Sequence, residues 1–206
     1  MIKLLTGTCL VLSLLLSSIV WANDNEGARD AVVKVVNAFR DDIVKDKDFL
    51  AKNPDELAVR VDRILADVVD FDDFSRKVMG KYYRRATPEQ RERFANVTKD
   101  TLLQTYGSSL LELDPDRINV LPLGPQGRGR ETKVNVDFQM ENGNLLNIIF
   151  YMEQNKSQQW LLSNVAINNI NFGLTFRKQF GVMMEQNRND IEAAILAWKD
   201  SLAKKS

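Results

Sequence analysis

The sequence predicts an α+β domain, and three observations support this fold class. Apolar residues recur at the three-and-four spacing of helix faces through the first half of the chain. Between about residues 118 and 167 the pattern changes to the two-residue alternation of strands, and from Phe172 the helical spacing returns. Helices, then an antiparallel meander, then helices are typical of an α+β domain rather than of an alternating α/β one.

The amino terminus is typical of a secretory signal peptide. Lys3 is followed by an apolar run over residues 10–20, and Val20 and Ala22 supply the short side chains of a cleavage site. The alternative, an uncleaved membrane anchor, is disfavoured because a span needs about 20 apolar residues. We therefore expect residues 1–22 to be removed after Ala22 and residues 23–206 to form a single periplasmic domain.

The composition excludes several kinds of site. The chain has no histidine, and its one cysteine, Cys9, lies in the predicted leader, which excludes Ser-His-Asp and Cys-His nucleophilic sites and imidazole or thiolate metal ligands. Asp67, Asp70, Asp72 and Asp73 lack the spacing and glycine of a calcium-binding loop, so we interpret them as helix caps and surface residues. The 28 basic and 28 acidic residues argue against a nucleic-acid partner. We expect no catalytic residue, metal or cofactor.

The amino-terminal half contains four predicted helices. An apolar face marks the first, at Val32, Val35, Val36, Phe39 and Ile43. The second and fourth begin at the same signal, a capping Asn53 or Thr87 followed by a proline and then by Glu or Gln three positions after the cap. A short third helix is expected to begin at Asp72 or Asp73 and to reach Tyr82.

The central region predicts an antiparallel meander followed by two helices. The predicted strands are residues 118–121, 132–140, 145–152 and 160–167. Asn142 and Gly143 form a hairpin turn, and the last helix runs from about Asp190 to Leu202. Residues 145–152 are apolar on both faces, whereas a sheet covered on one side alternates cleanly. The second face therefore needs a cover, either another helix or an apolar ligand in a cavity.

One stretch of the helical half is locally basic. It contains Arg76, Lys77, Lys81, Arg84, Arg85, Arg91 and Arg93. We favour the interpretation that these are solvated helix faces, since basic residues on helix exteriors are ordinary. The alternative is a surface that meets phosphate groups or an acidic partner.

Two segments resemble the MlaC family, the periplasmic toluene-tolerance or phospholipid-binding proteins. Residues 71–94, FDDFSRKVMGKYYRRATPEQRERF, resemble the family's signature helix pair, except that Tyr83 stands where many relatives carry tryptophan. Residues 164–180, NVAINNINFGLTFRKQF, resemble its last strand and the start of its C-terminal helix. The resemblance implies an NTF2-like cone, in which helices and a curved sheet enclose a deep cavity for lipid chains.

The same resemblance implies a carrier of glycerophospholipid. Such a carrier moves lipid between an outer-membrane lipoprotein-porin complex and an inner-membrane ABC transporter with a lipid-binding, membrane-anchored subunit, and so maintains outer-membrane lipid asymmetry. The bound phospholipid is then cargo rather than a cofactor. From the apolar faces we expect acyl-chain contacts at Phe74, Val78, Tyr82, Tyr106, Phe138, Ile148, Phe150 and Val165. We expect Arg84 and Arg85 to dock the partner complexes.

Two other functions compete with the carrier. The first is an enzyme in which a buried aspartate and a tyrosine abstract a proton from an apolar substrate, but Asp137 falls on the polar side of its strand. The second is a periplasmic chaperone or adaptor that presents an apolar groove to other proteins. A phospholipid retained through purification would separate the carrier from both.

Overall fold

The computed structural model describes residues 25–127, 129–140 and 142–203, and gives only the backbone of Tyr106 and Ser109. The predicted signal peptide, residues 1–22, lies outside the described residues. The helices are α1 (Glu26–Asp42), α2 (Lys47–Leu50), α3 (Pro54–Ala66), α4 (Phe71–Met79), α5 (Pro88–Leu110), α6 (Phe172–Gln186) and α7 (Ile191–Ala203). None of the helices in these ranges is both long and apolar enough to cross a membrane.

The strands of the described residues form a five-stranded antiparallel sheet in sequential order. They are β1 (Ile118–Val120), β2 (Glu131–Gln139), β3 (Leu145–Gln154), β4 (Trp160–Ile167) and β5 (Ile170–Asn171). The register shifts between Tyr151 and Met152, where β4 carries an irregularity against β3. The predicted α+β class, with helices packed on an antiparallel sheet, is confirmed. The sequence did not predict the short α2 or β5.

The caps of α5 and α4 test the helix starts that the sequence predicted. At the start of α5 the Thr87 amide donates to Gln90 Oε1 at 3.1 Å, and the Gln90 amide donates to Thr87 Oγ1 at 3.3 Å. This is the reciprocal capping box that the sequence predicted. The prediction that Asp72 or Asp73 caps α4 is wrong. Asp70 is the cap, because the helix begins at Phe71 and the Asp73 amide donates to the Asp70 carboxylate at 2.9 Å.

The predicted third helix also changes form before its end. Gly80, with φ of 55°, terminates α4, and residues Gly80–Arg85 continue as a 3-10 helix. A side chain at Gly80 would be strained at this φ and would also meet the Arg177 guanidinium, whose Nε lies 2.8 Å from the position of a Cβ. Tyr82 therefore lies on the 3-10 helix rather than on α4.

Buried apolar side chains form three clusters in the described structure. The helical cluster joins α4, the 3-10 helix, α5, α6 and α7, and its largest members are Trp198, Phe94, Phe180, Met79 and Met184. The sheet cluster joins α1 to the strands through Ala28, Val32, Val68, Val134, Val136 and Met152. The third cluster joins α2 and α3 to the residues that directly follow α1 and α5, and its members are Ile43, Leu50, Leu57, Val61, Ile64 and Leu111.

Helix α1 defines which face of the sheet is turned inward. Its Ala28 and Val32 pack in the sheet cluster with Val134 and Val136 of β2. Arg29 at its start donates to the carbonyl oxygens of Leu121 and Val120, at 3.1 and 3.2 Å. We call this side of the sheet the inner face, and the opposite side, which carries the polar alternates of β2, the outer face.

Candidate functional site

The inner face brings together the four strand residues that the sequence predicted for lipid contact. Because side chains alternate along a strand, Val134, Val136 and Phe138 of β2 share one face. The register pairs Val136 with Ile148 and Val134 with Phe150, and it pairs Phe150 with Val165 of β4. Phe138, Ile148, Phe150 and Val165 therefore share the inner face, although the lipid contacts themselves stay a prediction.

Burial along the inner face falls from one end to the other. Along β2, Val134 and Val136 are 0–1% exposed and Phe138, towards the strand's end, is half-buried. Along β3, Met152 is 0% exposed, and Phe150 and Ile148, farther from it, are half-buried. Ile148 lies on β3, the central strand of the sheet, where close packing would normally leave a large apolar side chain buried. The inner face is thus closed at its Met152 end and accessible at its Phe138 end.

A groove of about 690 Å³ lies at this accessible end. It is bounded by the segment after α1, by α2, by the segment after α5 and by the end of β2. Its lining residues are Val44, Lys47, Glu112, Leu113, Asp114, Arg117, Phe138, Met140 and Asn142. Phe138 belongs both to this groove and to the inner face, so the groove continues the inner face to the protein surface.

Open space also lies beside α5 in the protein interior. Gly107 is buried, yet among the described side chains and backbone a Cβ built on it would meet no atom within 4 Å outside its chain neighbours and local helix backbone. Leu103, one turn before it, packs against the third cluster, and Leu111, one turn after it, belongs to that cluster. In a close-packed core a Cβ at such a position would touch its surroundings. The interior of the molecule is therefore incompletely filled next to Gly107.

The helix residues that the sequence predicted for lipid contact lie away from the inner face. Val78 and Tyr82 are 1% and 5% exposed within the helical cluster, where the Tyr82 ring meets Phe180 edge-on at 6.2 Å. Phe74 packs at the border of that cluster, 6.1 Å from the ring of Phe176. The structure thus places these three residues in a different cluster from the strand residues, and their contact with lipid stays a prediction. Tyr106 lies on α5, and its side chain is outside the described residues.

The predicted docking residues are exposed on the 3-10 helix. Within the described structure, Arg84 and Arg85 make no ion pair. Their basic neighbours are held differently: Arg91 donates to the Tyr83 carbonyl at 2.9 Å, and Lys77 bridges α4 to β3 by contacting Glu153 at 3.1 Å. The basic stretch therefore contains both tethered cations and these two untethered ones.

Asp73 is the acidic partner of the tethered cations. It contacts Arg76, and it lies 3.0 Å from the Lys77 ammonium. Burial alone raises the pKa of Asp73, but hydrogen bonds from Arg76 and Lys77 outweigh it and hold the pKa below its ordinary value of 3.8. The Asp73 carboxylate thus fixes the positions of the Arg76 and Lys77 side chains on the surface of α4.

The acidic residues that the sequence singled out serve as caps and ion-pair partners. Asp70 caps α4, and Asp67 lies 2.9 Å from the Lys34 ammonium. In the parts of the chain that are described, no three His, Cys, Asp or Glu side chains come together as a metal site. Asp137, the carboxylate that the enzyme hypothesis would need, lies on the outer face and accepts a hydrogen bond from Asn147 at 3.0 Å.

Sequence reasoning missed Gly107 and the charged residues that line the groove, here called its rim. An isolated glycine inside a helical pattern is a weak signal for special packing, and Gly107 carried that signal. The rim residues carried none, because Lys47, Glu112 and Arg117 come from three separate segments that only the fold brings together.

Comparison with known proteins gives matches to a family model, to a curated relative and to a solved structure. The model of the family described as MlaC protein matches residues 33–200. The toluene tolerance protein ttg2D of Pseudomonas putida is 35% identical over 176 residues, which cover 85% of this chain and 81% of that protein. The phospholipid-binding protein from Ralstonia solanacearum, solved in complex with a phospholipid, superposes with a TM-score of 0.72 at 20% identity, over 89% of this chain and 98% of that one. The sequence matches span most of the chain, and the protein belongs to the MlaC family.

Proposed function

We propose that this protein is a periplasmic carrier that binds a glycerophospholipid by its acyl chains. The observation that carries the proposal is the incompletely buried, apolar inner face, with Ile148 and Phe150 half-buried on the central strand. Membership of the MlaC family supports it. So does the likeness to a protein of the same fold that was solved with a phospholipid.

A carrier of this kind works by sheltering the acyl chains from water. Each buried methylene contributes about 0.8 kcal/mol, so a lipid with roughly thirty methylenes gains on the order of 20 kcal/mol. A few hydrogen bonds to the headgroup, at about 1 kcal/mol each, do not replace that shelter. In our proposal the chains contact Phe138, Ile148, Phe150 and Val165, and extend into the open space beside Gly107.

The proposal assigns the protein a passive role between two membranes. The signal peptide directs it to the periplasm, and it receives or delivers lipid at an outer-membrane lipoprotein-porin complex and at an inner-membrane ABC transporter. The ATPase partner supplies the energy, and this chain binds rather than catalyses. Arg84 and Arg85 dock it to these complexes, because two exposed cations that make no ion pair with the described residues can meet carboxylates of a partner.

Native mass spectrometry of the mature protein, purified without detergent, tests the carrier function. We expect near-stoichiometric phospholipid, identified after solvent extraction. A protein that emerges empty and takes up no lipid from vesicles would contradict the proposal. It would return attention to a chaperone or adaptor, which predicts no stoichiometric phospholipid.

The docking residues are tested separately by charge reversal. The variant Arg84→Glu with Arg85→Glu should load lipid normally but transfer it more slowly to the reconstituted membrane complexes. Lys52→Glu with Lys156→Glu is the matched control, since both lysines are exposed and distant in sequence from the 3-10 helix. Equal transfer rates for the two double variants would remove Arg84 and Arg85 from the docking surface.

A further inference from the structure

Met152 lies in a packed group of side chains that closes one end of the inner face. It is 0% exposed, and the register pairs it with Thr132 of β2, which is 3% exposed. Val134, the next residue of β2 on this face, is 0% exposed. Phe150, the next residue of β3 on this face, is half-buried. The accessible apolar surface of β3 therefore ends at Met152, and we call Thr132, Val134 and Met152 the end wall.

The start of α1 is held beside the end wall by contacts from two strands. Thr132 Oγ1 donates to Asn25 Oδ1 at 3.0 Å, directly before the helix. Gly27, in the first turn, lies so close to Trp160 of β4 that a Cβ built on it would be 2.6 Å from the indole Nε1. Ala28 is 0% exposed and packs in the sheet cluster. These contacts hold α1 against the end wall, which gives the accessible surface a fixed end.

A fixed end limits the length of acyl chain that the protein can shelter. A chain that enters from the accessible end has its terminal methyl group directed towards Met152. Moving a methylene from a bilayer to an apolar protein surface is nearly neutral, because both environments exclude water. A methylene that does not fit is left in water, which lowers loading about fourfold for each such methylene.

We propose that Met152 is a specificity-determining residue that sets the longest acyl chain the carrier shelters completely. The inference rests on the proposed function. Met152 and Phe150 lie two residues apart on the same face of β3. The space left by truncating Met152 would therefore adjoin the half-buried Phe150 and extend the accessible surface. Truncation to alanine removes Cγ, Sδ and Cε, so the variant should shelter a longer chain than the wild type.

A competition experiment measures the length limit. Mature protein freed of lipid is incubated with vesicles of monounsaturated phosphatidylcholines that are present in equal amounts and differ only in acyl-chain length. The bound lipids are then quantified by native mass spectrometry. We expect the wild-type protein to load the shorter lipids evenly. Beyond a limiting length, loading should fall about fourfold for each further methylene.

Matched methionine variants test whether Met152 sets this limit. Met152→Ala should move the limit to longer chains. Met184→Ala is the control, because Met184 is also 0% exposed but packs in the helical cluster, so the same truncation should lower stability and leave the limit unchanged. Met152→Val keeps a larger apolar side chain and should move the limit by a smaller amount. It replaces Met152→Ala if that variant does not fold.

The outcomes separate this inference from the carrier function. Even loading of all chain lengths by the wild-type protein would overturn the length limit and leave the carrier function standing. The same limit in the Met152 and Met184 variants, at normal total loading, would overturn the role of Met152. Failure of the wild-type protein to load any lipid would instead overturn the carrier function itself. A longer limit in the Met152 variants alone supports both.

Discussion

The helical cluster and the inner face of the sheet are built from similar side chains but are packed differently. In the helical cluster Trp198, Phe94 and Phe180 are fully buried, and the rings of Phe94 and Phe180 meet at 4.8 Å. On the inner face Val134, Val136 and Met152 are buried, but Ile148 and Phe150, which pack against this cluster on a central strand, are only half-buried. One region is a filled core, and the other leaves apolar surface accessible.

This difference distinguishes residues that stabilise the fold from residues available to a ligand. A filled core gains its full packing energy from the protein's own atoms. An accessible apolar face forgoes part of that energy, and in the proposed carrier a bound acyl chain supplies it. Substitutions in the helical cluster should therefore lower the free energy of unfolding more than they lower lipid retention. Substitutions on the inner face should do the reverse.

The largest effect on stability is expected from Phe94→Ala. Phe94 is 0% exposed and contacts both Phe180 and Trp198, so its truncation leaves a cavity in the helical cluster. We expect the free energy of unfolding of the lipid-free protein to fall by about 3–5 kcal/mol. Urea denaturation followed by circular dichroism measures it. A loss below about 1 kcal/mol would show that this cluster is not a filled core.

Phe150→Ala should reduce lipid retention more than it reduces stability. Because Phe150 is half-buried, we expect its truncation to lower the free energy of unfolding of the lipid-free protein by only about 1–2 kcal/mol. The amount of co-purified phospholipid should fall more than in Phe94→Ala, when both are measured on the folded fraction. Lipid retention equal to that of the wild type would remove Phe150 from the lipid contacts.

Gly107→Leu should stabilise the lipid-free protein while weakening lipid binding. Replacing glycine inside a helix raises the free energy of unfolding by up to about 1 kcal/mol, and the Cβ enters open space. The added side chain occupies volume that the proposal assigns to acyl chains. Thermal denaturation of the lipid-free protein and lipid uptake from vesicles measure the two effects.

The matched control is Gly181→Leu. Gly181 is also inside a helix, α6, and a Cβ there meets none of the described atoms within 4 Å. It should give a similar gain in stability with unchanged lipid uptake. Equal uptake by both glycine variants would place the acyl chains away from Gly107.

The smallest effect on stability is expected at Asp73, whose partner Lys77 links α4 to the sheet. Asp73 holds Lys77, which contacts Glu153 of the sheet. Since its pKa is held below 3.8, Asp73 contributes stability that is present above about pH 4 and is lost as the pH falls through the folded-state pKa. Its partial exposure limits the contribution to below about 1 kcal/mol.

Asp73→Asn should therefore lower the free energy of unfolding at pH 7. It should also make this free energy fall less as the pH is lowered. Urea midpoints measured from pH 7 to pH 3 test this. Asp72→Asn, at the exposed neighbouring position, is the control. A pH profile of Asp73→Asn that runs parallel to the wild type would contradict the assigned role.

Much of the fold could be predicted because its signals are local. The capping box of Thr87 and Gln90 fixed the start of α5, and the alternation in residues 132–140 identified β2. The cap of α4 was misplaced to Asp72 or Asp73 because neighbouring aspartates carry the same local preference, and only the position of Phe71 in the structure selects Asp70.

The candidate site could be predicted only in part. Alternation identified the inner-face residues of β2 and β3, because a strand exposes one set of side chains to each face. Helix periodicity led us to predict lipid contacts for Val78 and Tyr82 as well. The structure places both in the helical cluster. Periodicity identifies the apolar side of a helix, but it does not say whether that side meets a filled core or an open space.

The sequence by itself determined the order of the longer helices and strands, the α+β class and the family resemblance, because these depend on spacing, capping and motifs along the chain. Tertiary structure decided which apolar faces are filled and which stay accessible. It also brought Lys47, Glu112 and Phe138 from separate segments to one groove. The physical reason is that packing and charge complementarity are properties of surfaces that meet in space, and no local pattern encodes them.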